Sequence, residues 1–96
     1  MALTKRFHQI EAVIESMEYL DSTYDLVKMY SYQDRLYYYY TGHCFKDFSV
    51  GDTVSFEAKK DDIIYYPVRQ RYICYPRKRK LIWKGVKDDV QCQING

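Results

Sequence analysis

The sequence predicts an all-β fold, a single small barrel of about five strands over residues 1–86, with a short polar tail at 87–96. Tyrosine accounts for 12 of the 96 residues, whereas glycine supplies four and proline two, and tyrosine favours half-buried pleated surfaces. Stretches of apolar and polar alternation are separated by turn residues about every ten positions, as in small sandwiches and barrels. With 47% hydrophobic and 29% charged residues, the chain has the composition of a folded globular domain, which excludes a disordered or fibrous protein.

The segment 3–20 carries two competing patterns. As a helix, it places five apolar residues at helical spacing: Leu3, Phe7, Ile10, Ile14 and Met17. As a strand, it alternates, with Ile10, Ala12 and Ile14 on one face. The alternative fold class is therefore α+β, with an N-terminal helix over about 3–20.

Strand signals continue along the rest of the chain. The predicted strands lie at 24–32, 36–41, 53–58, 63–75 and 81–86. The first two are separated by a short polar turn and predict a hairpin. In the third, Val54, Phe56 and Ala58 alternate with polar residues and are expected to be buried. Pro67 interrupts the fourth, and a basic loop at 77–80 precedes the last.

The order of these features resembles a cold-shock-type domain of the OB-fold class over about residues 10–73. Four segments carry the resemblance: TYDLV at 23–27, LYYYY at 36–40, FSVGDTVSF at 48–56 and YPVR at 66–69. The first two stand where that family has its two nucleic-acid-binding motifs. The resemblance implies a barrel whose first strand is about 10–16 and which binds single-stranded nucleic acid, RNA in preference to DNA. In this chain Leu26 replaces an aromatic residue of the family pattern, and Thr23 and Asp25 replace two glycines.

Strand alternation divides the tyrosines into two groups. Tyr38 and Tyr40 are predicted inside the barrel, whereas Tyr24, Tyr37 and Tyr39 share an outer face. Because exposed aromatic rings stack on bases, we expect this outer face to bind a single strand. Cross-strand packing on a solvated face explains Tyr37 and Tyr39 equally well.

The positive charge is concentrated in the C-terminal half of the chain. The net charge of +2 divides into −2 over residues 1–48 and +4 over 49–96. Eight basic residues and no acidic one lie between 69 and 87, a pattern typical of polyanion binding and also of a solvated basic loop. The residues expected to contact phosphates are Arg35, Arg69, Arg71, Arg77, Lys78, Arg79 and Lys80. The cluster at 77–80 also fits a nuclear import signal.

The sequence predicts a non-catalytic domain that holds neither a metal ion nor a cofactor. His43 and Cys44 are adjacent, so on a strand they point to opposite faces and do not pair as base and nucleophile. Cys44, Cys74 and Cys92 match neither a disulfide framework nor zinc-ligand spacing. Without a signal-peptide pattern or a membrane-spanning apolar run, we expect an intracellular protein, cytoplasmic or nuclear, that has no membrane partner.

A second functional class is a protein-interaction module of a nucleic-acid-associated complex. Tyrosine and arginine are enriched at interface hot spots, and Asp25 places a negative charge beside the expected stacking platform. An accessory domain of a larger RNA-processing protein would combine the two roles. The sequence leaves the oligomeric state open.

Overall fold

The computed structural model describes residues 7–19 and 25–85, and its regular structure there is almost wholly β. The strands are β1 (Phe7–Tyr19), β2 (Asp25–Ser31), β3 (Leu36–Gly42), β4 (Thr53–Lys59), β5 (Ile63–Tyr66), β6 (Gln70–Ile73) and β7 (Arg77–Trp83). A single turn of 3-10 helix, Lys60–Asp62, joins β4 to β5, and the described ranges contain no α-helix. The all-β prediction is confirmed, whereas the expected polar tail at 87–96 lies outside the described residues.

The strands form one seven-stranded sheet in the order β5-β6-β3-β2-β1-β4-β7. β3 and β6 are parallel, and all other neighbours are antiparallel. The sheet departs from the predicted five-stranded barrel in two respects: it has seven strands, and within the described residues no ladder joins its edges β5 and β7. Both additional strands have a local origin. A turn at 67–69 divides the segment 63–75 into a β5–β6 hairpin, and the basic segment 77–80 begins β7 and is not a loop.

The alternative of a helix over 3–20 is wrong for the described part of that segment. Residues 7–19 form the interior strand β1, which pairs with β2 on one side and with β4 on the other. Ala12 and Ile14 are buried, as strand alternation predicts. The register shifts between Ile14 and Ser16, and this bulge returns Met17 to the core side. The three-residue step from Ile14 to Met17 therefore reflects a bulge, although it matches helical spacing.

The sheet curls around Phe45, which lies in the loop between β3 and β4. The Phe45 ring centroid is 5.3 Å from that of Tyr40 on β3 and 5.5 Å from that of Phe56 on β4. Because β2 and β1 lie between those strands, a flat sheet would hold β3 and β4 about 14 Å apart. The other buried core side chains are Ile10, Ala12, Ile14, Val27, Met29, Tyr38, Val54, Ala58, Ile63 and Ile73. Curvature thus allows the sheet to cover its own apolar face without a second layer.

Asp52, only 2% exposed, ties the end of this loop to the chain beyond β7. Its Oδ2 accepts a hydrogen bond from the Ser49 N–H at 2.9 Å, and its Oδ1 accepts one from the Gly85 N–H at 2.9 Å. Lys84 Nζ lies 3.8 Å from Oδ1. Burial raises the pKa of Asp52, but the two N–H groups and the Lys84 ammonium lower it more, so the resulting pKa is below the ordinary value. The carboxylate is therefore held in its ionised form.

The backbone around Asp52 requires two glycines. The Ile14 N–H donates to the Asp52 carbonyl at 2.9 Å, and the Gly51 N–H donates to the Ile14 carbonyl at 2.8 Å. Gly51 has a φ of +99°, which side chains with a Cβ rarely adopt. A Cβ on Gly85 would lie 2.8 Å from the Gly51 carbonyl carbon. The close approach of these two backbones brings the Gly85 N–H within reach of the buried carboxylate.

We expect Asp52→Asn to lower the free energy of unfolding by about 2 kcal/mol near neutral pH, because an amide cannot accept both N–H bonds as an anion does. Since the folded-state pKa is depressed, the contribution of Asp52 is present above about pH 4 and is lost as the pH falls through the folded-state pKa. Urea denaturation at several pH values measures both effects. The exposed Asp47→Asn is the matched control, and a variant as stable as wild type at neutral pH contradicts the assignment.

The burial of the Tyr40 hydroxyl predicts a loss of folding stability at alkaline pH. Burial, followed by the hydrogen bond with the Cys44 side chain, raises the pKa of Tyr40 to about 12, although the Cys44 backbone N–H acts in the opposite direction; the pKa of an unfolded tyrosine is about 10. The neutral phenol therefore contributes stability below about pH 10, and this contribution disappears as the pH rises toward 12. The denaturation midpoint of Tyr40→Phe should fall less over this interval than that of wild type. The exposed Tyr19→Phe should follow wild type; equal curves for all three chains would refute the prediction.

Candidate nucleic-acid interface

Alternation along β3 sorts its four tyrosines onto two faces. Tyr38 and Tyr40 are 5% and 6% exposed and belong to the core. Tyr37 and Tyr39 are half-buried on the opposite, outer face. The predicted division of these four residues therefore matches the structure. Tyr24, the fifth tyrosine of the sequence argument, lies outside the described residues.

Neighbouring elements add three more rings to this outer face. Tyr30 on β2 is in register with Tyr37, and their ring centroids are 4.9 Å apart. Tyr32, in the turn after β2, meets Tyr30 edge to face at 4.8 Å. Tyr72 on β6 is in register with Tyr39. We call these five residues, Tyr30, Tyr32, Tyr37, Tyr39 and Tyr72, the tyrosine face.

Sequence reasoning missed Tyr30, Tyr32 and Tyr72. Tyr30 and Tyr32 have the same strand parity as Tyr24, so alternation along the first predicted hairpin strand could have identified them. Tyr72 carried no comparable signal. It joins the tyrosine face through the parallel pairing of β3 with β6, two strands that are far apart in the sequence.

One cation lies within the tyrosine face. Lys28 is in register with Tyr39, and its Nζ lies 4.7 Å from the centroid of the Tyr37 ring. This geometry is a cation–π contact on a half-buried face. The ammonium is therefore positioned beside two aromatic rings, where the phosphate of a stacked nucleotide could reach it.

Arg35 and Arg69 border the same face at the start of β3. Both are exposed and both have positive φ, 58° and 43°. The Arg69 Nε donates to the Arg35 carbonyl at 3.0 Å, and the Tyr37 N–H donates to the Arg69 carbonyl at 3.1 Å. Two turns that are distant in sequence are thus joined next to Tyr37. These two predicted phosphate contacts lie where a strand crossing the tyrosine face would pass.

Arg71 does not belong to the tyrosine face. It is in register with the buried Tyr38, and its guanidinium stacks 4.6 Å from the centroid of the Tyr65 ring. These three residues line a cavity of about 300 Å³ together with His8 and Asp34. Arg71, one of the predicted phosphate contacts, therefore lies on the side of the sheet opposite the tyrosine face, because the parity of β6 turns its side chain there.

The Asp34 carboxylate adds a negative charge to the lining of this cavity. The Tyr38 hydroxyl donates to Asp34 Oδ2 at 3.1 Å. Burial and the Asp34 carboxylate raise the pKa of Tyr38 well above its ordinary value. With Arg71 on the same cavity, the lining carries both signs of charge and offers no concentrated attraction for phosphate.

The basic segment 77–80 is a strand separated from β3 by β2, β1 and β4. Arg77 stacks 4.5 Å from the centroid of the Phe7 ring, and Lys78 Nζ lies 4.0 Å from Glu57 Oε2. In the sheet order, three strands thus separate the predicted phosphate contacts Arg77, Lys78, Arg79 and Lys80 from β3, although along the chain only residues 74–76 separate them from β6. These four residues form a second basic site along the edge of the sheet.

His43 and Cys44 lie in turns after β3, and the Cys44 N–H donates to the Tyr40 hydroxyl at 3.3 Å. Among the described residues, no group of three His, Cys, Asp or Glu side chains is placed to hold a metal ion. Over the same ranges, no helix has the length and apolar character needed to cross a membrane.

Comparison with protein-family models, curated proteins and solved structures found no match to this chain. The functional argument accordingly depends on the geometry of the tyrosine face and the charges around it.

Proposed function

We propose that this domain binds single-stranded nucleic acid, RNA in preference to DNA, across the tyrosine face. The observation that carries the proposal is the grouping of five tyrosine rings on one outer face with the Lys28 ammonium among them. Base–aromatic stacking contributes roughly 1–3 kcal/mol per base and tolerates any sequence. The contacts of Tyr30 with Tyr32 and Tyr37 hold these three rings in place before a ligand arrives, so less side-chain entropy is lost on binding.

The arrangement of the strands supports the same proposal. We infer that β1, β2, β3, β4 and β6 form an OB-like unit to which β5 and β7 are added at the edges. OB-folds are five-stranded, partly open barrels that bind oligonucleotides on the face of their second and third strands. Four of the five tyrosines lie on or directly after β2 and β3. The resemblance to cold-shock-type domains is consistent with this location and favours RNA.

Lys28, Arg35 and Arg69 are the cations proposed to contact phosphates beside the stacked bases. Each lies on or beside the tyrosine face, whereas Arg71 points into the cavity and β7 is three strands away. For single strands, each neutralised phosphate adds about −0.7 to the slope of log affinity against log salt. Three contacts therefore give a slope of about −2, and adding the four cations of β7 would give about −5.

Titration of the full chain with fluorescent oligo-U and oligo-T at several salt concentrations tests the proposal. We expect saturable binding of oligo-U near 50 mM salt, a slope of about −2, and weaker binding of oligo-T. A slope near −5 would show that β7 also contacts the strand. Absence of saturable binding would exclude the nucleic-acid function and favour a protein-interaction module.

The paired replacement Tyr37→Ala and Tyr39→Ala should weaken oligo-U binding about tenfold or more, since two stacking positions are lost. Trp83→Ala, an exposed aromatic on β7, is the matched control and should bind as wild type. Circular dichroism and thermal melting show whether the paired variant is folded. Wild-type affinity in a folded variant, or loss of the fold, would show that the two rings serve packing instead of recognition.

A further inference from the structure

β7 is an edge strand whose two faces are both open. It ends the strand order beside β4, and all seven of its side chains are exposed. Leu81, Ile82 and Trp83 are 47%, 48% and 64% exposed. Three consecutive exposed apolar residues on an unpaired edge are unusual, because such an edge is a template for another strand.

The charged side chains that protect sheet edges lie in the first half of β7, whereas register irregularities occur along both halves. Lys78 has a φ of +50°, and the register with β4 is irregular between Ser55 and Glu57 and again between Thr53 and Val54, opposite residues 81–83. Lysines and bulges of this kind discourage edge-to-edge pairing. The second half, 81–83, contains no charged residue. The two halves of the edge therefore differ in chemistry, because the first is cationic and the second is apolar.

The first half also carries more positive charge than the described residues neutralise. Lys78 approaches Glu57 at 4.0 Å. Arg77 stacks on Phe7, and Arg79 donates to the Pro76 carbonyl at 2.8 Å, so both contact neutral groups. Within 7–19 and 25–85, no carboxylate lies within ion-pair distance of Arg77, Arg79 or Lys80.

We propose that β7 binds an extended protein segment that pairs antiparallel to it and adds an eighth strand to the sheet. Apolar residues of that segment lie opposite 81–83, and acidic residues, which follow them in the sequence, lie opposite 77–80. Backbone hydrogen bonds to the free edge give affinity, and charge complementarity gives direction and specificity. No residue of β7 belongs to the tyrosine face.

A second copy of the chain fits this edge poorly. Antiparallel self-pairing centred on Lys80 would place the two Lys80 side chains opposite each other, which is destabilising. It would also place the cations at 77–79 opposite the apolar residues 81–83 of the other copy, without supplying a carboxylate. An acidic partner removes both difficulties.

The experiment uses the full chain and a fluorescent seven-residue peptide in which three apolar residues precede four acidic ones. We expect saturable binding and new hydrogen-exchange protection of β7 amides on the edge that does not face β4. Two further peptides provide the decisive comparison. One is N-methylated at its odd-numbered residues, and the other at its even-numbered residues. Strand pairing requires the amides of only one of these two sets, so one methylated peptide should lose about tenfold or more in affinity and the other should not.

Variants of the protein test the same contact. Ile82→Lys should abolish most of the binding, whereas Val68→Lys, at a more exposed apolar position in the β5–β6 turn, should not. Lys80→Glu should weaken the binding of the acidic peptide. A peptide with lysines in place of the acidic residues should bind this variant more tightly than it binds wild type.

Several results would overturn the proposal. Equal affinity for both methylated peptides would show simple charge attraction without strand pairing. A concentration-dependent dimer of the free chain that Ile82→Lys dissociates would assign the edge to a second copy. Competition between oligo-U and the peptide for β7, with no protection of β7 amides by the peptide, would assign the basic residues to nucleic acid.

Discussion

The fold depends on the insertion of Phe45 between Tyr40 and Phe56. A single sheet with one apolar face has to cover that face, and the described residues contain no α-helix to do so. Curling brings strands that are three positions apart in the sheet order onto the same ring. Since Phe45 comes from a loop, the loop itself must be fixed. The buried Asp52 carboxylate provides this constraint by bonding the loop at Ser49 and the chain after β7 at Gly85.

Curvature also decides which tyrosines are available for contact. On the concave side, Tyr38 and Tyr40 are buried in the core, and Arg71 lines a cavity whose side chains carry both signs of charge. On the convex side, rings of the same strand and its neighbours contact one another but remain half-exposed. The high tyrosine content therefore serves two purposes, because a small domain needs large side chains for its core and also presents them on its outer surface.

Side-chain alternation predicted which residues of a single strand are buried. The positions of residues on different strands relative to one another depended on the sheet topology. The burial of Val54, Phe56 and Ala58 followed from period two alone. The helical spacing at Met17 was misleading, because a bulge changes parity in the same three-residue step. The place of Tyr72 and the inward turn of Arg71 depend on the parallel pairing of β3 with β6, a long-range contact that no local pattern reveals.

The separation of the two basic regions has a thermodynamic consequence. In the strand order, β2, β1 and β4 lie between β3 and β7, whereas along the chain only residues 74–76 separate β7 from β6, which carries Tyr72. The two regions share no residue. β7 is nevertheless joined to the fold through Gly85 and Asp52, close to the loop that carries Phe45. An added strand at β7 would therefore stabilise the curled sheet as a whole, while the geometry of the tyrosine face would remain set by β2, β3 and β6.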